Sequence, residues 1–149
     1  MKSNYLLFRI AERLFGLRLQ GAIEILPWRR SRPVPLAYSY IEGIMEYRGT
    51  VYPVFSLAPL LGLSRPGPIG FTAAEGDPAP AGQSIILLKE GDRHFGITVD
   101  TVIKMAPLEE PEEPAAEVKG INPKLVKGVR VEEDQEIILL SFERLFHAG

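Results

Sequence analysis

Two stretches of the chain share one pattern of apolar and polar residues. Residues 5–27 read YLLFRIAERLFGLRLQGAIEILP, and residues 85–107 read IILLKEGDRHFGITVDTVIKMAP. When the two are aligned at one fixed offset, Gly16 falls on Gly96, each directly after a phenylalanine, with apolar residues matching on both sides. Self-similarity across a turn and both of its flanking segments indicates one structural unit that was duplicated.

A second match follows at a slightly larger offset. Residues 41–44, IEGI, align with residues 126–129, VKGV, and residues 54–57, VFSL, align with residues 139–142, LLSF. We therefore expect both repeats to contain the same elements in the same order.

The repeats suggest how the chain is divided. We interpret residues 1–149 as a single domain with a first barrel repeat at 5–62, a connection rich in glycine, proline and alanine at 63–83, and a second barrel repeat at 84–147. A second long connection, residues 107–123, contains glutamates interrupted by prolines and is expected to be a solvated loop.

Each repeat reads as β-structure. Residues 8–10 and 17–19 alternate apolar and polar side chains, the period-two signature of a half-buried strand. Further strands are expected at residues 21–26, 43–47, 51–55, 85–88, 97–99, 102–105, 128–131 and 136–140. Because so few short strands would leave two free edges in an open sheet, each repeat is expected to curl into a small barrel. The predicted fold class is all-β, with two SH3-like barrels of about five strands related by internal duplication.

A short helical turn is expected after the last strand of each repeat. Ser56 and Ser141 stand just before these turns, and a serine hydroxyl can accept a hydrogen bond from a free N–H at a helix start. Pro59 fits only in the first turn, where its missing N–H is harmless.

The repeats alone predict structural roles for two pairs of glycines. Gly16 and Gly96 follow an aromatic residue inside a strand pattern, which often marks a bulge or a close approach of backbone. Gly43 and Gly128 match each other in the second alignment, so a bulkier residue at either is expected to damage its barrel.

Composition and charge narrow the functional classes. The formal net charge is -2, whereas a general nucleic-acid binder needs a cationic excess to neutralise phosphates. The chain contains no cysteine, which excludes disulfides and thiolate metal sites. No segment has the pattern of a signal peptide or a membrane span, so a cytoplasmic location without direct membrane insertion is expected.

We find no convergent set of catalytic or metal-binding groups. The two histidines, His94 on a predicted turn and His147 near the end, have no partner at ligand spacing and are expected at the surface. Asp100 follows a strand, and a lone carboxylate there is expected to bond a local backbone N–H. The sequence therefore favours a binding protein with no catalytic residues, no metal and no cofactor.

One basic and aromatic cluster supports an alternative. Trp28 precedes Arg29, Arg30, Ser31 and Arg32, and such a group could stack a base or bind phosphate. We favour an exposed loop in which Trp28 partly covers a barrel end. A small-barrel binder of nucleic acid or oligosaccharide remains the alternative from a different class.

The order of these signals resembles the CheW-like family of chemotaxis coupling proteins. The resemblance covers residues 5–146, and its two most specific pieces are the RGTVYPV of residues 48–54 and the VDTV of residues 99–102. The supporting segments are GL at 16–17, AIEI at 22–25, VP at 34–35, YIEGI at 40–44, FGI at 95–97, VKGV at 126–129 and LL at 139–140.

The resemblance implies a scaffold without catalysis, built from two β-barrel subdomains with a groove between them. Its expected partners are the regulatory domain of a chemotaxis-type histidine kinase and the cytoplasmic hairpin tip of a chemoreceptor. It assigns receptor binding to Glu24 and Arg48, with Glu46 beside them, and we place kinase contacts at Ala22 and Ile44. The positions expected to be structural are Gly16, Gly43, Gly49, Pro53, Gly96, Asp100 and Gly128.

Several residues depart from the family's pattern. Glu46 replaces the usual asparagine, Ala22 replaces the usual valine, and Ser56 and Ser141 replace the usual aspartates. A carboxylate at Glu46 would weaken attraction for an acidic receptor surface, and we expect it to pair with Arg48. A second hypothesis is therefore a divergent family member that binds a single, different partner in a non-flagellar pathway.

Overall fold

The computed structural model describes residues 2–29, 31–33, 41–63, 83–110, 118 and 120–143. Within these ranges the chain forms ten strands, one short helix and two 3₁₀ turns. The strands are β1 (Lys2–Ile10), β2 (Arg13–Arg18), β3 (Ala22–Pro27), β4 (Ile41–Tyr47), β5 (Thr50–Ser56), β6 (Ser84–Glu90), β7 (Arg93–Val99), β8 (Thr101–Glu109), β9 (Val126–Glu132) and β10 (Gln135–Leu140). The helix α1 is Leu57–Leu61, and the 3₁₀ turns are Leu19–Gly21 and Pro123–Leu125.

These strands form two five-stranded sheets, and the predicted all-β fold class is confirmed. Sheet 1 has the order β8-β1-β2-β10-β9, and sheet 2 has the order β3-β6-β7-β5-β4. In each sheet one parallel pair, β2 with β10 or β7 with β5, is flanked by antiparallel pairs.

The repeats exchange strands. Strands β1 and β2 from the first repeat join β8, β9 and β10 from the second, while β6 and β7 join β3, β4 and β5. When each strand is replaced by its counterpart in the other repeat, the order of sheet 1 becomes the order of sheet 2. The sequence left open which barrel the first strand completes, and the structure places β1 between β8 and β2. Neither the range 5–62 nor the range 84–147 alone contains all five strands of either sheet.

The buried apolar residues fall into three clusters, which follow from strand alternation because successive side chains point to opposite faces. The central core draws on both sheets and on α1, and includes Phe8, Phe15, Leu61, Phe95 and Leu125. Each sheet also has a smaller core on its other face. The sheet 1 core contains Tyr5, Leu7, Leu14, Leu108, Ile137 and Leu139, and the sheet 2 core contains Met45, Tyr52, Val54, Ile85 and Leu87.

Gly16 and Gly96 occupy equivalent places within β2 and β7, under side chains of the neighbouring strands. A Cβ on Gly16 would lie 2.9 Å from a methyl of Leu139, and one on Gly96 would lie 3.3 Å from Ile85 and from Leu87. Neither glycine is at a register shift, so close packing rather than a bulge explains them.

The bulges lie instead in the edge strands. Register shifts leave Ile23 of β3 and Ile103 of β8 without a cross-strand partner. These two residues are equivalent in the repeats, so the irregularity was duplicated with the strand.

The segment that follows β3 forms backbone hydrogen bonds with the other edge strand of sheet 2, β4. After β3 the chain crosses to β4, where Arg32 and Ile44 exchange two N–H···O bonds of 2.8 Å each. A Cβ on Gly43 would lie 2.1 Å from the Arg32 carbonyl oxygen, so only glycine fits this approach. The expected structural role of Gly43 therefore has a specific cause. Gly128 is buried in β9 opposite Leu139.

In sheet 1, Glu110 directly follows the edge strand β8 and belongs to an ionic cluster. Lys127 Nζ lies 2.6 Å from Glu110 Oε2 and donates to the Tyr5 hydroxyl at 2.9 Å, while Tyr5 donates to Glu110 at 3.0 Å. Burial alone would raise the pKa of the Glu110 carboxyl, but hydrogen bonds from Lys127, Ser3 and Tyr5 lower that pKa to about 2. Burial also raises the pKa of Tyr5.

One local expectation needs correction. Ser56 is at the N-cap of α1, but its side chain makes no capping hydrogen bond, whereas the Ser141 hydroxyl accepts from the N–H of Glu143 at 3.4 Å. Asp100 accepts from the N–H of Ala11, a residue distant in sequence, at 2.7 Å. It thereby ties the β1–β2 turn to the junction between β7 and β8. Most of the connection at 63–83 and of the second helical turn lies outside the described residues.

Candidate docking site

Arg48 stands at the tip of the hairpin between β4 and β5. Tyr47 pairs with Thr50, which leaves Arg48 and Gly49 as a two-residue turn with φ of 50° and 82°. Positive φ at both central residues is the mark of a type I′ turn, which matches the right-handed twist of the flanking strands. Gly49 adopts this conformation without strain, but Arg48 does not. The side chain of Arg48 is exposed, as a docking residue requires.

The Arg48 guanidinium lies over the ring of Tyr47, with its carbon 5.2 Å from the ring centroid. Within the described part of the chain no ion pair joins Glu46 to Arg48, contrary to expectation. Strand alternation explains this, because Met45 and Tyr47 face the sheet 2 core while Glu46 points to the opposite face. Glu46 is exposed, and its backbone oxygen lies 3.4 Å from an Arg29 guanidinium nitrogen.

Glu24 lies on β3, the strand at the opposite end of the sheet 2 order. It is half-buried and pairs with Leu87, whose side chain belongs to the sheet 2 core. Ile23 and Ile25 flank it and are 44% and 40% exposed. Strand alternation places Glu24 on the same face as Leu26, which packs on the sheet 2 core, and places Ile25 on the opposite face. In the described residues, no hydrogen bond or ion pair connects Glu24 with Arg48.

The two residues assigned to kinase contacts are less accessible. Ala22 is half-buried and packs against the central core, so little of its side chain is left for a partner. Ile44 is also half-buried, and its backbone is engaged by Arg32. Ile44 shares the β4–β5 hairpin with Glu46 and Arg48, whereas Ala22 shares β3 with Glu24. The sequence-derived residues thus fall into two groups on sheet 2.

A second hairpin tip was not anticipated from the sequence. Glu133 and Asp134 connect β9 to β10 in sheet 1, with φ of 51° and 63°. This turn is the repeat counterpart of Arg48 and Gly49, with the same backbone and the opposite charge. Aligning the second repeat through the turn, rather than only through its flanking strands, would have revealed it.

The Trp28 cluster is tied to the fold. Trp28 is half-buried against the sheet 2 core, and its backbone N–H donates to the Gln83 carbonyl oxygen at 3.0 Å. An indole packed in this way offers less surface for stacking a base. Arg32 is exposed and paired through its backbone, and residue 30 lies outside the described ranges.

His94 is in β7 rather than on a turn. It is half-buried, and its ring meets the Tyr52 ring edge-on with centroids 5.6 Å apart. Among the described residues no group of three or more histidine, aspartate or glutamate side chains is arranged to hold a metal ion. The part of the chain that the structure describes also contains no helix of the length and apolarity needed to cross a membrane. His147 lies outside that part.

Comparison with known proteins identifies the family. Residues 4–149 match the CheW-like domain. The chain is 27% identical over 141 residues to a chemotaxis protein CheW of Treponema pallidum, covering 93% of this chain and 79% of the relative. It is 25% identical over 138 residues to a CheW of Thermotoga maritima, covering 93% and 83%.

A solved structure agrees with both the fold and the sequence relationship. The crystal structure of the scaffolding protein TtCheW from Thermoanaerobacter tengcongensis superposes with a TM-score of 0.81 at 26% sequence identity, covering 98% of this chain and 93% of that one. The chain therefore belongs to the CheW-like family of chemotaxis scaffold proteins.

Proposed function

We propose that this chain is a non-enzymatic cytoplasmic adaptor that couples chemoreceptors to a chemotaxis-type histidine kinase. The observation that supports this most is the match to the CheW-like domain along residues 4–149. The relatives are chemotaxis proteins, and the similar solved structure is a scaffolding protein. A scaffold needs docking surfaces and no reaction centre.

The geometry of sheet 2 supports receptor docking. Arg48 presents a guanidinium at an exposed hairpin tip, and a guanidinium can bind a partner's carboxylate through two parallel hydrogen bonds. Glu24 provides a carboxylate on the edge strand, and Ile23 and Ile25 supply exposed apolar area on the same strand. Such a combination can orient a helical hairpin, because charges fix its register while the isoleucines bury its apolar stripe.

The test is a binding titration of this protein with a chemoreceptor hairpin fragment and, separately, with the regulatory domain of the kinase. Binding to both is expected. Arg48→Glu should abolish binding of the hairpin, while the free energy of unfolding changes by no more than about 0.5 kcal/mol because the side chain is exposed. Unchanged hairpin binding by this variant, or failure of the folded wild type to bind either partner, would overturn the proposal.

The repeat offers a matched control. Glu133→Arg changes charge at the equivalent position of the other hairpin, on the same backbone conformation. We expect it to leave binding of the receptor hairpin within about twofold, since rim charges away from an interface act only through screened long-range fields. Equal losses in the two variants would mean that net charge, and not Arg48, controls binding.

A single-partner role is the second candidate, and the exposed carboxylate of Glu46 favours it. No neutralising ion pair to Arg48 forms in the described residues, so Glu46 keeps its full repulsion for an acidic partner. Glu46→Asn restores the residue that the family usually has, and it should strengthen receptor binding. If the wild type binds only the kinase domain and Glu46→Asn adds receptor binding, the single-partner role is the correct one.

A further inference from the structure

Tyr47 contacts two parts of the molecule that differ in function. Its side chain is half-buried and packs against the sheet 2 core, which includes Met45 and Tyr52. Its ring also lies beneath the guanidinium of Arg48, at 5.2 Å from the ring centroid. Tyr47 therefore connects the buried core of sheet 2 to the exposed guanidinium of Arg48.

The turn conformation makes this contact possible. Arg48 has a φ of 50°, which folds the chain back at the hairpin tip. An exposed arginine otherwise samples many rotamers, and binding must select one of them at an entropic cost. A ring that is itself held by the core restricts those rotamers before the partner arrives, and an aromatic face attracts a cation through its quadrupole.

We propose that Tyr47 is a positioning residue, which holds the Arg48 guanidinium ready for a carboxylate on an acidic helical partner. This inference rests on the proposed function, because Arg48 must be the residue that contacts the partner. Tyr47 itself need not touch the partner. Since alternation along β4 places Tyr47 and Glu46 on opposite faces, the contact with Tyr47 also keeps the Arg48 guanidinium away from Glu46.

The binding test compares Tyr47→Leu, Tyr47→Phe and Arg48→Ala against a chemoreceptor hairpin fragment. Tyr47→Leu keeps an apolar side chain but removes the aromatic face, and it should weaken binding about two- to fivefold. Tyr47→Phe keeps the face and should bind as the wild type does. In the Arg48→Ala background Tyr47→Leu should have no further effect. An equal loss in that background would show that Tyr47 acts independently of Arg48 and would overturn the inference.

Glu132→Leu serves as the matched control, because residue 132 is the counterpart of Tyr47 at the other hairpin. It should leave binding of the hairpin fragment unchanged within about twofold. Loss of binding in this variant as large as in Tyr47→Leu would indicate a general effect on the fold and would contradict a positioning role.

A second measurement does not depend on any partner. In the wild type, protons of the Arg48 side chain should show an upfield NMR shift from the Tyr47 ring current, and Tyr47→Leu should return them to ordinary values while Tyr47→Phe does not. If these shifts behave as expected but no variant binds the hairpin, the proposed function fails and the positioning contact stands. If Tyr47→Leu leaves the shifts unaltered, the positioning role is wrong.

Discussion

Sheet 1 and sheet 2 are built from equivalent strands in the same order, yet they differ where the chain leaves the edge strand. After β3 in sheet 2, the backbone pairs with β4 at Arg32 and Ile44. After β8 in sheet 1, Glu110 is held by Lys127 and Tyr5 through side chains. The two sheets therefore share a strand order but differ in the contacts that hold the chain after the edge strand. Strand order constrains the backbone, whereas the side chains can diverge.

The hairpin tips differ in the same way. Arg48 and Gly49 form the basic tip of sheet 2, and Glu133 and Asp134 form the acidic tip of sheet 1, with positive φ at all four residues. Duplication preserved the turn, while the charge that each turn presents became opposite. The two tips therefore share a backbone conformation and differ in the charge of their exposed side chains.

The largest expected effect is at Gly43, where a side chain would collide with backbone. Gly43→Val should lower the free energy of unfolding by about 3 kcal/mol, because the Arg32 carbonyl would have to move and the bridge to Ile44 would break. Denaturant unfolding monitored by circular dichroism measures this. Gly128→Val is the matched variant in sheet 1, where Gly128 is buried opposite Leu139 and a loss of stability is also expected, although no backbone bridge is broken there. A loss at Gly43 below about 1 kcal/mol would mean that the bridge is not needed.

Variants of Asp100 and of its counterpart show whether the junction between the sheets contributes equally to stability in the two repeats. Asp100→Ala should cost about 1.5 kcal/mol of unfolding free energy, because the N–H of Ala11 loses a charged acceptor at 2.7 Å. Its counterpart in the first repeat is Gln20, which is exposed, and Gln20→Ala should change stability by less than about 0.5 kcal/mol. Thermal unfolding of the two variants in parallel measures the difference. Equal losses would contradict the asymmetry.

A smaller loss of stability is expected at acidic pH, and it comes from Glu110 in the ionic cluster of sheet 1. The pKa of Glu110 in the folded protein is about 2, below its ordinary value of 4.5, so its stabilising contribution is present above about pH 4.5 and is lost as pH falls towards 2. Glu110→Gln should remove this part of the pH dependence. Its magnitude is limited by solvent screening, since about a quarter of the Glu110 side chain is exposed.

Urea unfolding of the wild type and of Glu110→Gln, measured at several pH values between about 5 and 2, separates this contribution from general acid effects. Glu136→Gln is the control, because Glu136 is another sheet 1 acid whose ion pair with Arg13 is longer, at 3.7 Å, and more exposed. If the Glu110 and Glu136 variants have the same pH dependence, the cluster around Lys127 contributes nothing of its own.

The sequence predicted most of the strands and indicated the duplication, because alternation and internal similarity are local signals. It was wrong for the start of the connection at 107–123, which was expected to be a solvated loop, because residues 107–109 complete β8 and Leu108 is buried. It could not predict the strand exchange. A strand from either repeat presents the same pattern, so the pattern alone does not choose between its own sheet and the other one. The contacts of Glu110 with Lys127 and Tyr5 were likewise hidden, because they join residues far apart in the chain.

The candidate site was only partly accessible from the sequence. Residues 48–54 indicated an exposed arginine at a turn, and this is where Arg48 lies. The prediction of an ion pair between Glu46 and Arg48 was wrong. Period-two alternation explains why, because Tyr47 and not Glu46 lies on the core-facing side of β4. The backbone of Arg48 could not be foreseen, because a positive φ at arginine runs against its intrinsic preference.

The smallest expected effect is a change in stability that comes from the positive φ of the residues at the two hairpin tips. Arg48→Asn creates an Asn-Gly turn, the sequence that type I′ hairpins prefer, and should stabilise the protein by about 0.5 kcal/mol. It should also lose receptor binding, because the guanidinium is removed. Glu133→Asn relieves the same conformation in sheet 1 and should give a similar gain in stability while receptor binding stays intact. Unfolding and binding titrations on both variants measure the two properties separately. A gain in stability with loss of binding at Arg48 alone would show that strain is kept at that tip for docking, whereas a stability loss at Arg48 would mean that its contact with Tyr47 outweighs the strain.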